Sequence, residues 1–146
     1  MIDMDLRLLN ELQVGSYIFM DRQYGDCEAV GDPAGFATAL SVEARVISAN
    51  HTALVTVDAG FKAFATEAGA PVIIGGAASG CVYQFMGDEH GCLVPPRGVA
   101  PPALGDIVSF SAPHCDPTVN LYDAYHVVRG DTLVAIWPIE ARGRSA

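Results

Sequence analysis

Apolar and polar residues alternate along much of this chain, in short runs that stop at Gly, Pro, Asn or Asp. Alternation places one set of side chains on each face of an extended strand. By that rule Val14 to Asp21 (VGSYIFMD) predicts a first strand and Leu40 to Ser48 a second. Ala49-Asn50-His51 supplies a turn before Thr52 to Asp58, so these two neighbouring runs predict a hairpin. Further strands are predicted at Pro71 to Ile74, Cys81 to Met86, Asp106 to Ser111, Tyr122 to Val128 and Leu133 to Trp137. Arg129-Gly130-Asp131 is tight enough to join the last two as a second hairpin. Helical spacing is scarce. Ile2 to Leu12 carries Leu6, Leu8, Leu9 and Leu12 in a pattern that predicts one or two amphipathic turns. Phe61 to Ala68 predicts a short helix with Lys62 and Glu67 on its wet side.

Fifteen glycines and nine prolines concentrate at Gly75 to Gly80 and Pro95 to Pro102. The first run predicts a mobile loop, and the second, PPRGVAPP, a stiff loop covering a sheet edge. Neither reads as a linker, because neither half of the chain has its own full set of strands, and there is no internal repeat. Residues 1–146 therefore read as one domain. The fold class expected is all-β: a small antiparallel β-barrel or sandwich with long Gly/Pro loops and a short N-terminal helical turn.

Composition narrows the partners. The formal net charge is −9, with eight basic residues scattered along the chain. A nucleic-acid backbone or an anionic membrane surface needs a basic patch, so neither is expected. No apolar run approaches the roughly 20 residues that span a bilayer. The N-terminal MIDMDLRLLNEL lacks the basic start of a secretory leader, and a cytoplasmic protein is expected. Cys27, Cys81, Cys92 and Cys115 form no CxxC pair, which excludes a zinc ribbon or thioredoxin-type centre. They are expected to be reduced, several of them as small core residues.

The chemistry concentrates at SAPHCDPTVNLYDAYHVV, Ser111 to Val128, where His114 and Asp116 stand two apart on a Pro-bounded turn. If that turn is extended, both side chains point to one side and Cys115 to the other. An imidazole and a carboxylate suit a divalent ion such as Zn, Mn or Mg, and two protein ligands leave positions open, as in a catalytic site. The same spacing also suits a turn in which Asp116 caps backbone amides and His114 lies at the surface.

The run HCDPTVNLYDAYHVVRGD, with IWPIEARG near the end, resembles the carboxy-terminal signature of the D-threonine aldolase family, which belongs with the D-serine dehydratase-like proteins. ELQVGSYIFMDRQYGD, VDAGFKAF and GDEHG extend the resemblance, in order, over nearly the whole chain. It implies the β-rich carboxy-terminal domain of pyridoxal-phosphate enzymes of the alanine racemase fold type. There a (β/α) barrel carries the cofactor on a lysine, and the β-domain supplies a divalent metal ion (Mn, Mg or Zn) as Lewis acid beside the substrate hydroxyl. By resemblance His114 and Asp116 are the metal ligands. Related dehydratases carry His-x-Cys at this place, so Asp116 follows the aldolase version, and its oxygen shifts preference toward Mn or Mg.

Lys62 is the only lysine, and it falls in a β-domain motif. It reads more readily as an exposed lysine beside core phenylalanines than as a cofactor amine. The cofactor half is thus expected to be missing and the isolated chain inactive, with pyridoxal phosphate entering only through a barrel domain, on a separate chain for instance. Homo-oligomers are also expected. The alternative is a non-catalytic β-barrel interaction module that kept the fold and lost the chemistry. Asp88, Glu89 and His90 suit a supporting carboxylate, a domain contact or a solvated turn. Asp123 suits orienting His114 through its second ring nitrogen, or cross-strand hydrogen bonding. His51 reads as an exposed turn residue, and Trp137 as a core or interface anchor.

Overall fold

The computed structural model describes residues 11, 13–27 and 35–144. The helical turn expected over Ile2 to Leu12 lies outside them, Glu11 excepted. Among these residues eight strands form: β1 (Val42–Ser48), β2 (Val55–Val57), β3 (Val72–Gly76), β4 (Val82–Phe85), β5 (Gly91–Val94), β6 (Ile107–Ser111), β7 (Ala124–Arg129) and β8 (Thr132–Pro138). The described residues also hold two short α-helices, α1 (Arg22–Gly25) and α2 (Cys115–Val119). Six strands make one antiparallel sheet in the order β3-β6-β1-β2-β5-β4, and β7 pairs with β8 apart from it. The outer strands β3 and β4 approach each other, so the sheet curls into a half-barrel. The all-β reading holds.

Alternation explains the core. Ala44 and Val46 of β1 point inward while Glu43 and Arg45 point out; Val55, Val57, Val108 and Phe110 join the inner face. Phe64 plugs the sheet, 1% exposed, with Tyr83 and Phe110 packed edge-on at ring centroid distances of 5.8 and 5.6 Å. Such contacts add about 0.5–1.5 kcal/mol per aromatic pair beyond area burial. The Tyr83 hydroxyl donates to the Ala59 carbonyl at 2.8 Å, which satisfies the polar end of a buried ring.

Three predicted elements fold otherwise. Val14 to Asp21 is not a strand: a 3-10 turn occupies Ser16–Ile18 and leads to α1. Met20 adopts φ 55°, a left-handed conformation that breaks an extended run. The alternation there was misleading, because Ser16 is buried while Val14 and Ile18 are exposed. Phe61 to Ala68 forms turns rather than a helix. Its first amides donate to another segment, Phe61 to the Gly87 carbonyl at 3.0 Å and Lys62 to the Asp88 carbonyl at 2.9 Å. Gly60 permits this approach, since a Cβ there would collide with the backbone of Gly87, Asp88 and His90. Of the glycine run expected to be a loop, Gly75 and Gly76 instead end β3, and residues 77–80 form a tight turn with Ala78 fully buried.

Candidate metal centre

His114 stands at the N-cap of α2 with extended angles (φ −144°, ψ 121°), and the chain turns helical from Cys115. The extended His-x-Asp turn predicted from the spacing is therefore not what forms. Convergence survives by another route: one extended and two helical residues bring His114 Nε2 to 3.9 Å from Asp116 Oδ2. Cys115 is fully buried beneath them.

Buried groups hold this turn. The Asp21 carboxylate, 2% exposed, accepts from the Tyr24 amide at 2.9 Å and from the Cys115 amide at 2.7 Å, so it caps α1 and the start of α2 together. In return the α1 amides of Arg22 and Gln23 donate to the carbonyls of Ala112 and Pro113 at 3.0 and 3.3 Å. Farther along α2, the Thr118 hydroxyl accepts from the Ala65 amide at 3.1 Å. Tyr122 donates its hydroxyl proton to the Ala63 carbonyl at 3.0 Å. Arg22 donates to the Ala68 carbonyl. The 63–68 segment is therefore pinned beside the turn.

That segment delivers Glu67, whose Oε1 lies 2.8 Å from His114 Nδ1. Local sequence gives no sign of this contact. The role of orienting His114, read for Asp123, does not fall to Asp123, which pairs with Arg142 at 2.7 Å. Ser16 is the second partner missed: its hydroxyl donates to Asp116 Oδ1 at 2.8 Å, and the Cys115 thiol lies 3.1 Å from the same oxygen. The other oxygen, Oδ2, is left facing the imidazole.

These contacts set the charge states. The Ser16 hydroxyl, with help from the Cys115 thiol, holds the Asp116 carboxyl below the usual carboxylate range against the opposing effect of burial. Glu67 is also lowered, first by its own backbone amide and then by His114. Burial pushes the Cys115 thiol up to about 12, so it stays neutral. Burial, then the nearby Cys115 and Asp116, raises Tyr125 as well. The site thus presents one imidazole between two ionised carboxylates, Asp116 on the Nε2 side and Glu67 at Nδ1, with the Ser16 hydroxyl and Cys115 thiol as neutral neighbours of Asp116.

Two donors about 2.0–2.2 Å from a common ion lie no more than about 4.4 Å apart. The 3.9 Å separation of Nε2 and Oδ2 is therefore within reach of one divalent ion, and too long for a hydrogen bond. Among the described residues no cluster of three or more His, Cys, Asp or Glu could hold a metal. The pair fits an open coordination site whose other positions belong to water, substrate or another polypeptide segment.

The remaining candidates are placed elsewhere. Asp88, Glu89 and His90 form the exposed β4–β5 turn, with Glu89 ion-paired to Lys62. Lys62 is exposed, and Glu89 raises its pKa. A cofactor amine needs the reverse, a desolvated lysine with a lowered pKa. No glycine-rich cradle opens a helix of useful length among the described residues, so they do not fit pyridoxal phosphate. His51 is exposed and accepts from the Ala53 amide at 3.1 Å. Trp137 is 58% exposed on β8, not in the core. All four cysteines are free, with Cys92 and Cys115 buried. No described helix is long and apolar enough to cross a membrane.

Comparison with known proteins agrees with this architecture. A family profile described as "Putative serine dehydratase domain" matches residues 39–128. A D-threonine aldolase from Arthrobacter sp. is 42% identical over 92% of this chain and 35% of its own length. A 3-hydroxy-D-aspartate aldolase from Paracoccus denitrificans (strain Pd 1222) is 37% identical over 94% of this chain and 35% of its own. The crystal structure of D-threonine aldolase from Filomicrobium marinum superposes with a TM-score of 0.79 at 40% identity, covering 88% of this chain and 35% of that one. A D-threo-3-hydroxyaspartate dehydratase variant in its metal-free form superposes with a TM-score of 0.61 at 25% identity, over 85% of this chain and 37% of its own. The chain thus spans about a third of the length of these relatives. With this profile, these identities and this shared β-architecture, it belongs to the D-threonine aldolase and D-serine dehydratase-like family, as the β-domain of that family.

Proposed function

We propose that this chain is the metal-holding β-domain of a divalent-cation-activated lyase that cleaves D-3-hydroxy amino acids between Cα and Cβ. The observation that carries the reading is the facing of His114 Nε2 and Asp116 Oδ2 across 3.9 Å. A divalent ion there supplies Lewis-acid polarisation of a substrate oxygen when bound. The chain's own residues do the positioning: Asp21 and Thr118 fix the turn, and Ser16 occupies Oδ1, so Asp116 offers Oδ2. Mn, Mg and Zn all suit one nitrogen and one oxygen donor, with the oxygen favouring the harder ions.

Pyridoxal phosphate, held by a barrel domain, would supply the electron sink for such a cleavage; Lys62, exposed and paired with Glu89, lacks the environment of a cofactor lysine. The β7–β8 hairpin supports a large partner surface. Leu133, Val134, Ile136 and Trp137 are 48–58% exposed on adjoining positions of β8, so both of its faces are apolar and accessible. Strands apolar on both faces are covered in the finished assembly. A barrel domain is the proposed cover, and a second copy of this chain is the other expected one. The same exposure favours the second reading, a non-catalytic module that binds through this hairpin. Four free cysteines and the acidic surface fit a cytoplasmic setting.

The experiment is to co-express the chain with the pyridoxal-phosphate barrel of a D-threonine aldolase and to measure glycine release from D-threonine with Mn²⁺ or chelator. Activity that needs Mn²⁺ and is lost in Asp116→Ala supports the lyase. A stable complex with no cleavage, with or without Mn²⁺, supports the interaction module instead.

A further inference from the structure

We propose that Glu67 is a positioning residue that keeps the His114 proton on Nδ1 and so presents an unprotonated Nε2 toward Asp116. This rests on the reading of His114 and Asp116 as metal ligands and explains how one of them is held ready. A neutral imidazole carries its proton on either nitrogen, and the neighbour of one nitrogen decides what the other can do. Here Glu67 Oε1 is 2.8 Å from Nδ1. An ionised carboxylate accepts only, so Nδ1 must be the donor in that contact. The proton is then absent from Nε2 in the neutral ring, the nitrogen that lies 3.9 Å from Asp116 Oδ2. With the opposite tautomer, Nε2 would carry a hydrogen and could not ligate.

The backbone around Glu67 is built to hold this contact. Ala63, Ala65 and Ala68 are each bonded to a different side chain, those of Tyr122, Thr118 and Arg22. Two of these three anchors come from α2 and the residues that follow it, so Glu67 and His114 are carried by one interlocked unit. A carboxylate on the far nitrogen also fixes the orientation of a ligating imidazole. Glu67 itself is 54% exposed, so replacing it removes no core packing.

The test reads the tautomer directly in the metal-free chain. With ¹⁵N-labelled histidine, long-range ¹H–¹⁵N correlation spectra at pH 8 separate a protonated from an unprotonated ring nitrogen. Wild-type His114 is expected to carry its proton on Nδ1. Glu67→Ala is expected to move most of the population to Nε2–H, whereas Glu67→Gln, whose amide oxygen still accepts, keeps Nδ1–H. The Mn²⁺ dissociation constant is expected to rise roughly 10- to 100-fold in Glu67→Ala, the usual cost of losing such a partner, and less in Glu67→Gln. A purely structural Glu67 would leave the tautomer unchanged in Glu67→Ala, and that result overturns the assignment. So does a wild-type ring protonated on Nε2. Wild-type chain that binds no Mn²⁺ yet shows the expected tautomers supports the Glu67 assignment and defeats the metal reading alone.

Discussion

Asp21 and Cys115 stand 94 residues apart in sequence, yet the Asp21 carboxylate accepts the Cys115 backbone proton at 2.7 Å in a buried setting. This single contact joins the segment before α1 to the turn that carries His114 and Asp116. Its other oxygen caps α1 through Tyr24.

Replacing Asp21 with Ala therefore removes two caps and leaves the Cys115 amide buried without its acceptor. At about 1 kcal/mol for the lost α1 cap and about 1–3 kcal/mol for the stranded Cys115 donor, which is the second cap counted once, a loss of roughly 2–4 kcal/mol is expected. Urea denaturation checks it. Asp21→Asn, which keeps an accepting oxygen, should recover part of the loss.

The half-barrel was legible because β1, β2 and β6 alternate, with Ala44, Val46, Val108 and Phe110 facing in. β5 was not. Gly91, Cys92 and Leu93 are all buried, so the strand shows no alternation to detect. Of the candidate site, the pair itself could be read, since His114 and Asp116 sit in one short motif. Its geometry could not, because whether Cys115 is extended or helical depends on Asp21 and Thr118, which local sequence does not couple to the turn. Ser16 and Glu67 were invisible as partners for the same reason: they lie 100 and 47 residues from the groups they touch. Val14 to Asp21 shows the converse error, a good alternating pattern overridden by Met20 and by the burial of Ser16.

Ser16→Ala should raise the Asp116 pKa, because the Ser16 hydrogen bond is the first cause of its depression. The sign for stability follows. A carboxyl lower in the folded than in the unfolded state stabilises the fold above its unfolded value of 3.8. That contribution is lost as pH falls through the folded value. The stability difference between wild type and Ser16→Ala should accordingly shrink below pH 4, and carbonyl NMR titration of Asp116 should show the upward shift.

Thiol chemistry should rank the cysteines. Cys27 is exposed and Cys115 fully buried, with its pKa held near 12. Iodoacetamide at pH 8 should label Cys27 first in the native chain and leave Cys115 untouched until the chain unfolds. Rapid native labelling of Cys115 would mean that the turn opens freely.

The β7–β8 hairpin should drive association of the isolated chain. Trp137 is 58% and Ile136 57% exposed, on opposite faces of β8. Sedimentation velocity at rising concentration should show dimers or larger species, and Ile136→Lys with Trp137→Ser should return the chain to monomer. A wild-type monomer at every concentration, with no binding of an apolar dye, would count against the hairpin as a contact surface.

Metal titration decides whether His114 and Asp116 together hold one divalent ion. Calorimetry of the apo chain with Mn²⁺, repeated with Zn²⁺, should give one site per chain. His114→Ala and Asp116→Ala should each abolish it, while Cys115→Ser should change the dissociation constant by less than roughly tenfold, because its thiol contacts Asp116 Oδ1 and not the outward Oδ2. No binding in wild type, or binding that survives Asp116→Ala, would show that the pair is not a metal site.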